Sequence, residues 1–335
     1  MAMRWNWNRF RTRVDPVAID PAVRIFHQSI EGYRPTPLTA CPRAAAVLGT
    51  GSLHLKDESA RFGLNAFKAL GASWAMSRTP APAFSTATDG NHGRAVAWMA
   101  RRMGSAAHVF VPRNTPIARR LLIEQEGARL HVVQGTYDDA VRACAAESAA
   151  RNWQVIADTG YPGYLEIPQL VVAGYSTLFT EYAEQEAGLP DLVFIQGGVG
   201  GLLSAAVRHF GGPPPKLIAV EPLDADCLLE SISSDDGQPH PARGGQNSIM
   251  QGLNCGEVSI TAWPAIRAGV DLFVAIEDAL AEEAMELIAP LDSGESGAAG
   301  VAGLIAVCRE PLLRERLGIG PHTRVFAINT EGLLR

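Results

Sequence analysis

Lys68 closes the segment Lys56-Asp-Glu-Ser-Ala-Arg-Phe-Gly-Leu-Asn-Ala-Phe-Lys68, in which a strand pattern ends in a polar loop and an apolar helical pattern begins. An ammonium in the first turns of a helix, among Leu64, Phe67 and Leu70, is opposed by the helix dipole and by desolvation. A neutral amine is the nucleophile of Schiff-base chemistry, so this setting suits a lysine that condenses with a carbonyl group. Taken alone, a lysine in such a pattern is more often a surface residue on an amphipathic helix.

Three further segments carry side chains or backbone suited to a ligand. Thr88-Asp-Gly-Asn-His-Gly-Arg94 reads as a strand-to-helix turn whose glycines let the backbone approach closely. Within it Asn91 can donate an amide hydrogen bond to a phenolate oxygen, and Asp89 can act as acid or base or simply cap the helix. His92 reads as a structural hydrogen bonder. Gln196-Gly-Gly-Val-Gly-Gly201 follows one strand pattern and precedes a helical one, an arrangement that aims backbone N–H groups at a phosphate. Gly197, Gly198, Val199, Gly200 and Gly201 make neither a dinucleotide fingerprint nor a P-loop, because Leu203 takes the place of the third glycine and no Lys-Ser/Thr pair follows. By itself such a run is also a tight strand–helix corner. The last segment, Ser293-Gly-Glu-Ser-Gly-Ala-Ala-Gly300, is small enough to pack against a flat ring, and in the terminal Asn329-Thr-Glu-Gly332 the Thr330 hydroxyl suits a pyridine nitrogen. Either stretch alone would pass as a loop.

The elements that must position these residues follow from hydrophobic periodicity. Strands are predicted at 52–56, 83–88, 108–112, 129–134 and 153–157, alternating with helices at 66–76, 93–103, 117–126 and 137–151. That alternation predicts parallel strands joined by crossover helices. Buried strands are expected at 191–196, 216–221 and 324–329, a helix at 202–210, and an exposed loop over 232–246, which is rich in Ser, Asp, Gly and Pro.

Size and composition allow a layered α/β enzyme: 335 residues, 47% hydrophobic and 19% charged, are enough for about two domains. A formal charge of −6 without a basic block argues against nucleic acid or an anionic membrane surface and for a small-molecule substrate. Cys41, Cys144, Cys227, Cys255 and Cys308 show no metal-ligand spacing. Their odd number suits thiols in a cytoplasmic protein, although a Cys227–Cys255 pair stays open. No window reaches the roughly 20 apolar residues of a membrane span.

In this order, the segments at 56–68, 88–94, 196–201, 293–300 and 329–332, with Ser-Ile-Met-Gln-Gly-Leu-Asn-Cys-Gly-Glu at 248–257, resemble the fold-type-II pyridoxal-phosphate enzymes. Within that group they are most similar to the diaminopropionate ammonia-lyases. The resemblance implies a tryptophan-synthase-β-like fold: α/β, two domains, three-layer sheets with helices on both faces. It implies a large cofactor-binding domain from 1–69 and 166–335, a small α/β domain at 70–165, and a homodimer. It also implies pyridoxal 5′-phosphate as cofactor, with Lys68 as the Schiff-base lysine, Asn91 facing the 3′-oxygen, residues 197–201 cupping the phosphate and Thr330 beside the pyridine nitrogen. Asp158 matches a carboxylate that meets the substrate, although locally it reads equally well as a turn cap. Asp89 departs from the dehydratases, which place a small neutral residue there, and the connection from Lys68 to Asp89 is shorter than in the lyases. The implied reaction is α,β-elimination of 2,3-diaminopropionate to pyruvate and two ammonia, with Lys68, Asp89 and Asp158 as catalytic residues. A serine/threonine dehydratase, a β-replacement synthase and a non-catalytic binding protein of the same fold are the rival readings.

Overall fold

Alternate residues of the central strands belong to two different apolar clusters, so the larger sheet is buried on both faces. Val193, Ile195, Leu217, Ala219, Phe273 and Ala275 join one cluster, whereas Leu192, Phe194, Ile218, Val220, Leu272 and Val274 join the other. Strand side chains alternate in direction, so this division requires a helical layer on each side. The structure is a computed structural model and describes residues 3–334 except 13, 89, 187 and 213.

Among the described residues the strands are β1 (Met3–Trp7), β2 (Leu38–Ala40), β3 (Ser52–Asp57), β4 (Ala83–Ala87), β5 (Ala106–Pro112), β6 (Arg129–Val133), β7 (Gln154–Val155), β8 (Leu192–Gln196), β9 (Lys216–Pro222), β10 (Leu272–Ile276) and β11 (Arg324–Asn329). They form a seven-stranded sheet in the order β1-β10-β9-β8-β11-β3-β2 and a four-stranded sheet in the order β6-β5-β4-β7. The smaller sheet is parallel throughout. The larger is parallel in its centre, but β1 and β2 close its two edges antiparallel to β10 and β3. The helix Glu295–Arg309 covers one face, and Gly201–Phe210 with Glu166–Gly174 covers the other.

The predicted strand–helix alternation of the first half is found, with boundaries shifted by at most three residues. Strands β1, β2 and β10 and most helices beyond residue 165 were not predicted. The segment 232–246 is only partly the expected loop, because Ile232 lies buried in the helix Cys227–Ser233. Among the described residues no single helix is long and apolar enough to cross a membrane, no trio of side chains is placed to hold a metal, and no disulfide forms.

This topology places the chemistry. The C-terminal ends of parallel β8 and β11 in one sheet, and of β4 and β7 in the other, open onto one cleft, the usual position of ligands in open α/β sheets.

Candidate active site

Lys68 is the first residue of the helix Lys68–Arg78, and the preceding loop is pinned at both ends. On one side, Arg61 donates to Glu58 and Glu181, and Lys56 donates to Glu181 at 2.8 Å, all four side chains being at most 1% exposed. On the other, the Phe67 N–H donates to the Thr330 carbonyl at 3.2 Å and Asn65 Nδ2 to the Gly332 carbonyl at 3.0 Å. The helix itself lies close to Glu166–Gly174: a Cβ at Gly174 would stand 2.4 Å from the Leu70 carbonyl oxygen. Of the three lysines in the chain, Lys56, Lys68 and Lys216, only Lys68 lines the cleft.

Asp158 reaches the same point from the other sheet. The Tyr164 hydroxyl fixes its approach by donating to the Val155 carbonyl at 2.9 Å and accepting from the Ala157 N–H at 3.0 Å. Lys68 Nζ donates to Asp158 Oδ2 at 2.6 Å, with the side chains 21% and 18% exposed. Burial alone pushes the Lys68 ammonium down, but the Asp158 carboxylate outweighs it and holds the amine above the ordinary lysine range. Burial likewise raises Asp158, yet Lys68 and then His92 hold it below the ordinary carboxylate range. The sequence argument for a destabilised ammonium is therefore corrected: desolvation acts as expected, and an ion pair from a distant segment overrides it.

Asn91 begins the helix Asn91–Met103 and donates through Nδ2 to Glu331 Oε2. His92 lies behind it, within 2.9 Å of the Ile156 carbonyl through Nε2; burial pushes its imidazole pKa down. An imidazole nitrogen that meets a carbonyl carries the proton, so Nδ1 is left as the acceptor nitrogen, 4.0 Å from Asp158. Asp89 lies outside the described residues, but Thr88 and Gly90 on either side both line the cleft.

The glycine segment forms the floor. Gly200 has φ +96°, and a Cβ there would meet Ile266 Cδ1 at 2.4 Å, so this turn excludes a side chain. The helix Gly201–Phe210 that follows has no side-chain cap, and the N–H groups of residues 198–201 meet no acceptor among the described residues. Free N–H donors at a helix N-terminus fit a phosphate. Thr330 leaves β11 beside this floor, 4% exposed, and its Oγ accepts from Gln196 Nε2 at 3.0 Å.

Lys68, Asn91, Asp158, the five residues 197–201 and Thr330 thus share one cleft of about 470 Å³. The residues fit a flat phosphorylated ring carrying a carbonyl: a donor floor for the phosphate, a hydroxyl, an amide donor and one lysine. Tyr175 and Glu331 are among the lining residues that the sequence argument missed. The Tyr175 side chain, 1% exposed, lies beside Lys68, and burial pushes its phenol up. Glu331 was read only as part of the Asn329–Gly332 stretch, and nothing local marks its contact with Asn91.

Known proteins resemble this chain over most of its length. The family described as pyridoxal-phosphate dependent enzyme matches residues 30–331. The diaminopropionate ammonia-lyase of Salmonella typhimurium is 37% identical, the match covering 92% of this chain and 88% of that protein. The crystal structure of the Escherichia coli diaminopropionate ammonia-lyase in complex with an aminoacrylate-PLP azomethine reaction intermediate superposes with a TM-score of 0.92 at 33% identity, over 99% of this chain and 94% of that one. A threonine deaminase from Solanum lycopersicum, 21% identical with a TM-score of 0.81 over 98% and 94% of the two chains, shares the fold.

Proposed function

The chain belongs to the pyridoxal-phosphate-dependent enzymes, and from that premise we propose that it eliminates the β-amino group of 2,3-diaminopropionate, yielding pyruvate and two ammonia. The observation that carries this reading is the convergence of Lys68, Asp158, Asn91, the glycine floor and Thr330 on one cleft. Residues 197–201 would cup the cofactor phosphate, with the N–H groups of 198–201 as donors because that of Gly197 is taken by the Val220 carbonyl, Thr330 would meet the pyridine nitrogen and Asn91 the 3′-oxygen, and Lys68 is the amine that would bind it covalently. When bound, pyridoxal phosphate supplies an electron sink that stabilises the charge left on the substrate α-carbon as its proton departs.

The protein's own groups do the rest. With the cofactor bound and its amine free, Lys68 would take the substrate α-proton. Its pairing with Asp158 gives a place for that proton: the ammonium formed is the species that the carboxylate stabilises. An amine leaves readily only when protonated, and Asp158, with Asp89 as a second candidate, keeps the β-amine cationic. The three-carbon enamine that remains takes up water, giving pyruvate and the second ammonia.

The same reading includes a homodimer, a cytoplasmic location and the division into 1–69 with 166–335 and 70–165. The four-stranded sheet over 83–155 supports that division. The test is a product assay with 2,3-diaminopropionate, serine and threonine side by side. Pyruvate and two equivalents of ammonia should form from diaminopropionate faster than pyruvate forms from serine, because a carboxylate pairs with a β-ammonium and gains little from a hydroxyl. Equal or faster turnover of serine would replace this reading by a dehydratase.

A further inference from the structure

Glu331 is a cleft carboxylate without a cation. It is 7% exposed, and among the described residues no lysine, arginine or histidine forms an ion pair with it. A carboxylate so removed from water is costly unless donors meet it. The side-chain donor that reaches it is Asn91 Nδ2, from a helix 240 positions earlier in the chain. Its backbone is held firmly: the Gly294 N–H donates to its carbonyl at 3.0 Å, and residues 66 and 331 form an antiparallel bridge. Glu331 therefore presents its carboxylate to Asn91 from a fixed base.

The consequence lies in the asymmetry of an amide. Asn91 has a donor end and an acceptor end of nearly equal size, and either could be turned toward a ligand. A carboxylate offers acceptors only, so it selects the nitrogen end, leaves the second Nδ2–H available to the cleft, and turns Oδ1 away. Resting on the pyridoxal-phosphate reading above, we infer that Glu331 is a positioning residue, which acts on the cofactor through Asn91 by fixing that amide as a donor toward the 3′-oxygen. Thr330 and Glu331, adjacent in sequence, would then serve two positions of the same ring, one by contact and one through an intermediary.

A double-mutant cycle read as pyridoxal-phosphate affinity, by titration of the visible cofactor band into cofactor-free protein, tests this without reference to turnover. Glu331→Ala should weaken binding about tenfold, the weight of one well-placed hydrogen bond. Glu331→Gln still accepts from the Asn91 N–H but can also donate to its oxygen, so it selects the nitrogen end only in part and should lose an intermediate amount, about threefold. In an Asn91→Ala background, Glu331→Ala should change the affinity by less than twofold, because its effect travels through the amide. Losses that add across the two positions would overturn the inference, as would unchanged or tighter binding in Glu331→Ala. Should Glu331→Ala fail to fold, Glu331→Met, which keeps the bulk and removes the acceptor, takes its place in the cycle, and a loss as large with Asn91 absent as with it present overturns the inference. If the unaltered chain binds no pyridoxal phosphate, it is the functional reading itself that fails.

Discussion

Replacing Asp158 by Asn should make Lys68 take up pyridoxal phosphate faster while making the enzyme slower. The substitution keeps size and hydrogen-bonding capacity but removes the charge 2.6 Å from Lys68 Nζ. An exposed ion pair stabilises by about 1 kcal/mol or less, and breaking a fully buried one costs about 3–5 kcal/mol. With both side chains about one-fifth exposed, the cofactor-free protein should lose about 1–3 kcal/mol. The Lys68 pKa is raised by folding, so its share of the stability is present below about pH 10 and lost as pH rises through the folded value. The Asp158 pKa is lowered, so its share is present above about pH 4 and lost as pH falls through the folded value. Between those limits the pair holds the amine protonated. Loss of an adjacent opposite charge lowers a pKa of this kind by about 1–3 units. The neutral fraction, and with it the rate of cofactor uptake at pH 8, should rise at least about tenfold. Stopped-flow recording of the visible band across pH 6–10 measures this. Turnover of diaminopropionate should fall about 10²-fold or more through loss of the group that keeps the leaving amine cationic. An uptake profile that does not move, or uptake and turnover slowed together, would refute the assignment of Asp158 as the group that sets the charge of Lys68.

Borohydride reduction of the loaded enzyme should bleach the visible band and fix the cofactor on the peptide containing Lys68; peptide mapping that finds the label on Lys56 or Lys216 overturns the central assignment. Glu181→Gln should cost about 3–5 kcal/mol in denaturant unfolding, because it leaves Lys56 and part of Arg61 unpaired in the interior. Burial raises the Glu181 carboxyl, but Arg61 and then Lys56 outweigh it and bring it down to about 2, so its stabilisation is present above about pH 4 and lost as pH falls toward that value. A loss below about 1 kcal/mol would show that water screens the cluster. Asp89→Asn should reduce turnover of the D-isomer about 10²-fold and the L-isomer less, because the two α-protons lie on opposite faces of the cofactor plane and Lys68 serves one. Equal losses measured with both isomers would make Asp89 a shared substrate binder.

How far the sequence could be read depended on whether a residue's reason lies near it in the chain. The glycine floor was legible because the constraint is local: Gly200 has the backbone angles and the crowding that exclude a side chain, and the helix whose N–H groups it frees begins at the next residue. Lys68 was legible as a position but not as a charge, since Asp158 lies 90 residues on and arrives through the other sheet. Glu331 was illegible for the same reason, its partner being 240 positions away. Among the strands, β10 is a five-residue apolar run, Leu272–Ile276, between Asp271 and Glu277, a signal that was present and passed over. β1 gave a weaker signal. Arg4 and Asn6 alternate with Trp5 and Trp7 as in an edge strand with one covered face, and Trp5 and Trp7 pack against the core.

The charges of Lys56-Asp-Glu-Ser-Ala-Arg61 show where resemblance and physical cause part company. In sequence they form the densest cluster of ionisable groups before Lys68, and a dense cluster invites a catalytic reading. In the fold, Lys56 and Arg61 turn away from the cleft and meet Glu181 on the helix Ser176–Gln185, Arg61 also pairs with Glu58, and Tyr33 and Thr36 donate to the Glu181 carboxylate. Two cations and two carboxylates that neutralise one another in the interior have no charge to lend to chemistry. What they supply is direction. The backbone between Arg61 and Asn65 takes the left-handed conformation at three residues, Phe62, Gly63 and Asn65, before reaching Phe67. A chain bent so sharply needs both of its ends held, and the cluster holds one while Thr330 and Gly332 hold the other. Lys68 can therefore sit at a helix start facing Asp158 because charges that never touch the reaction fix the loop that leads to it.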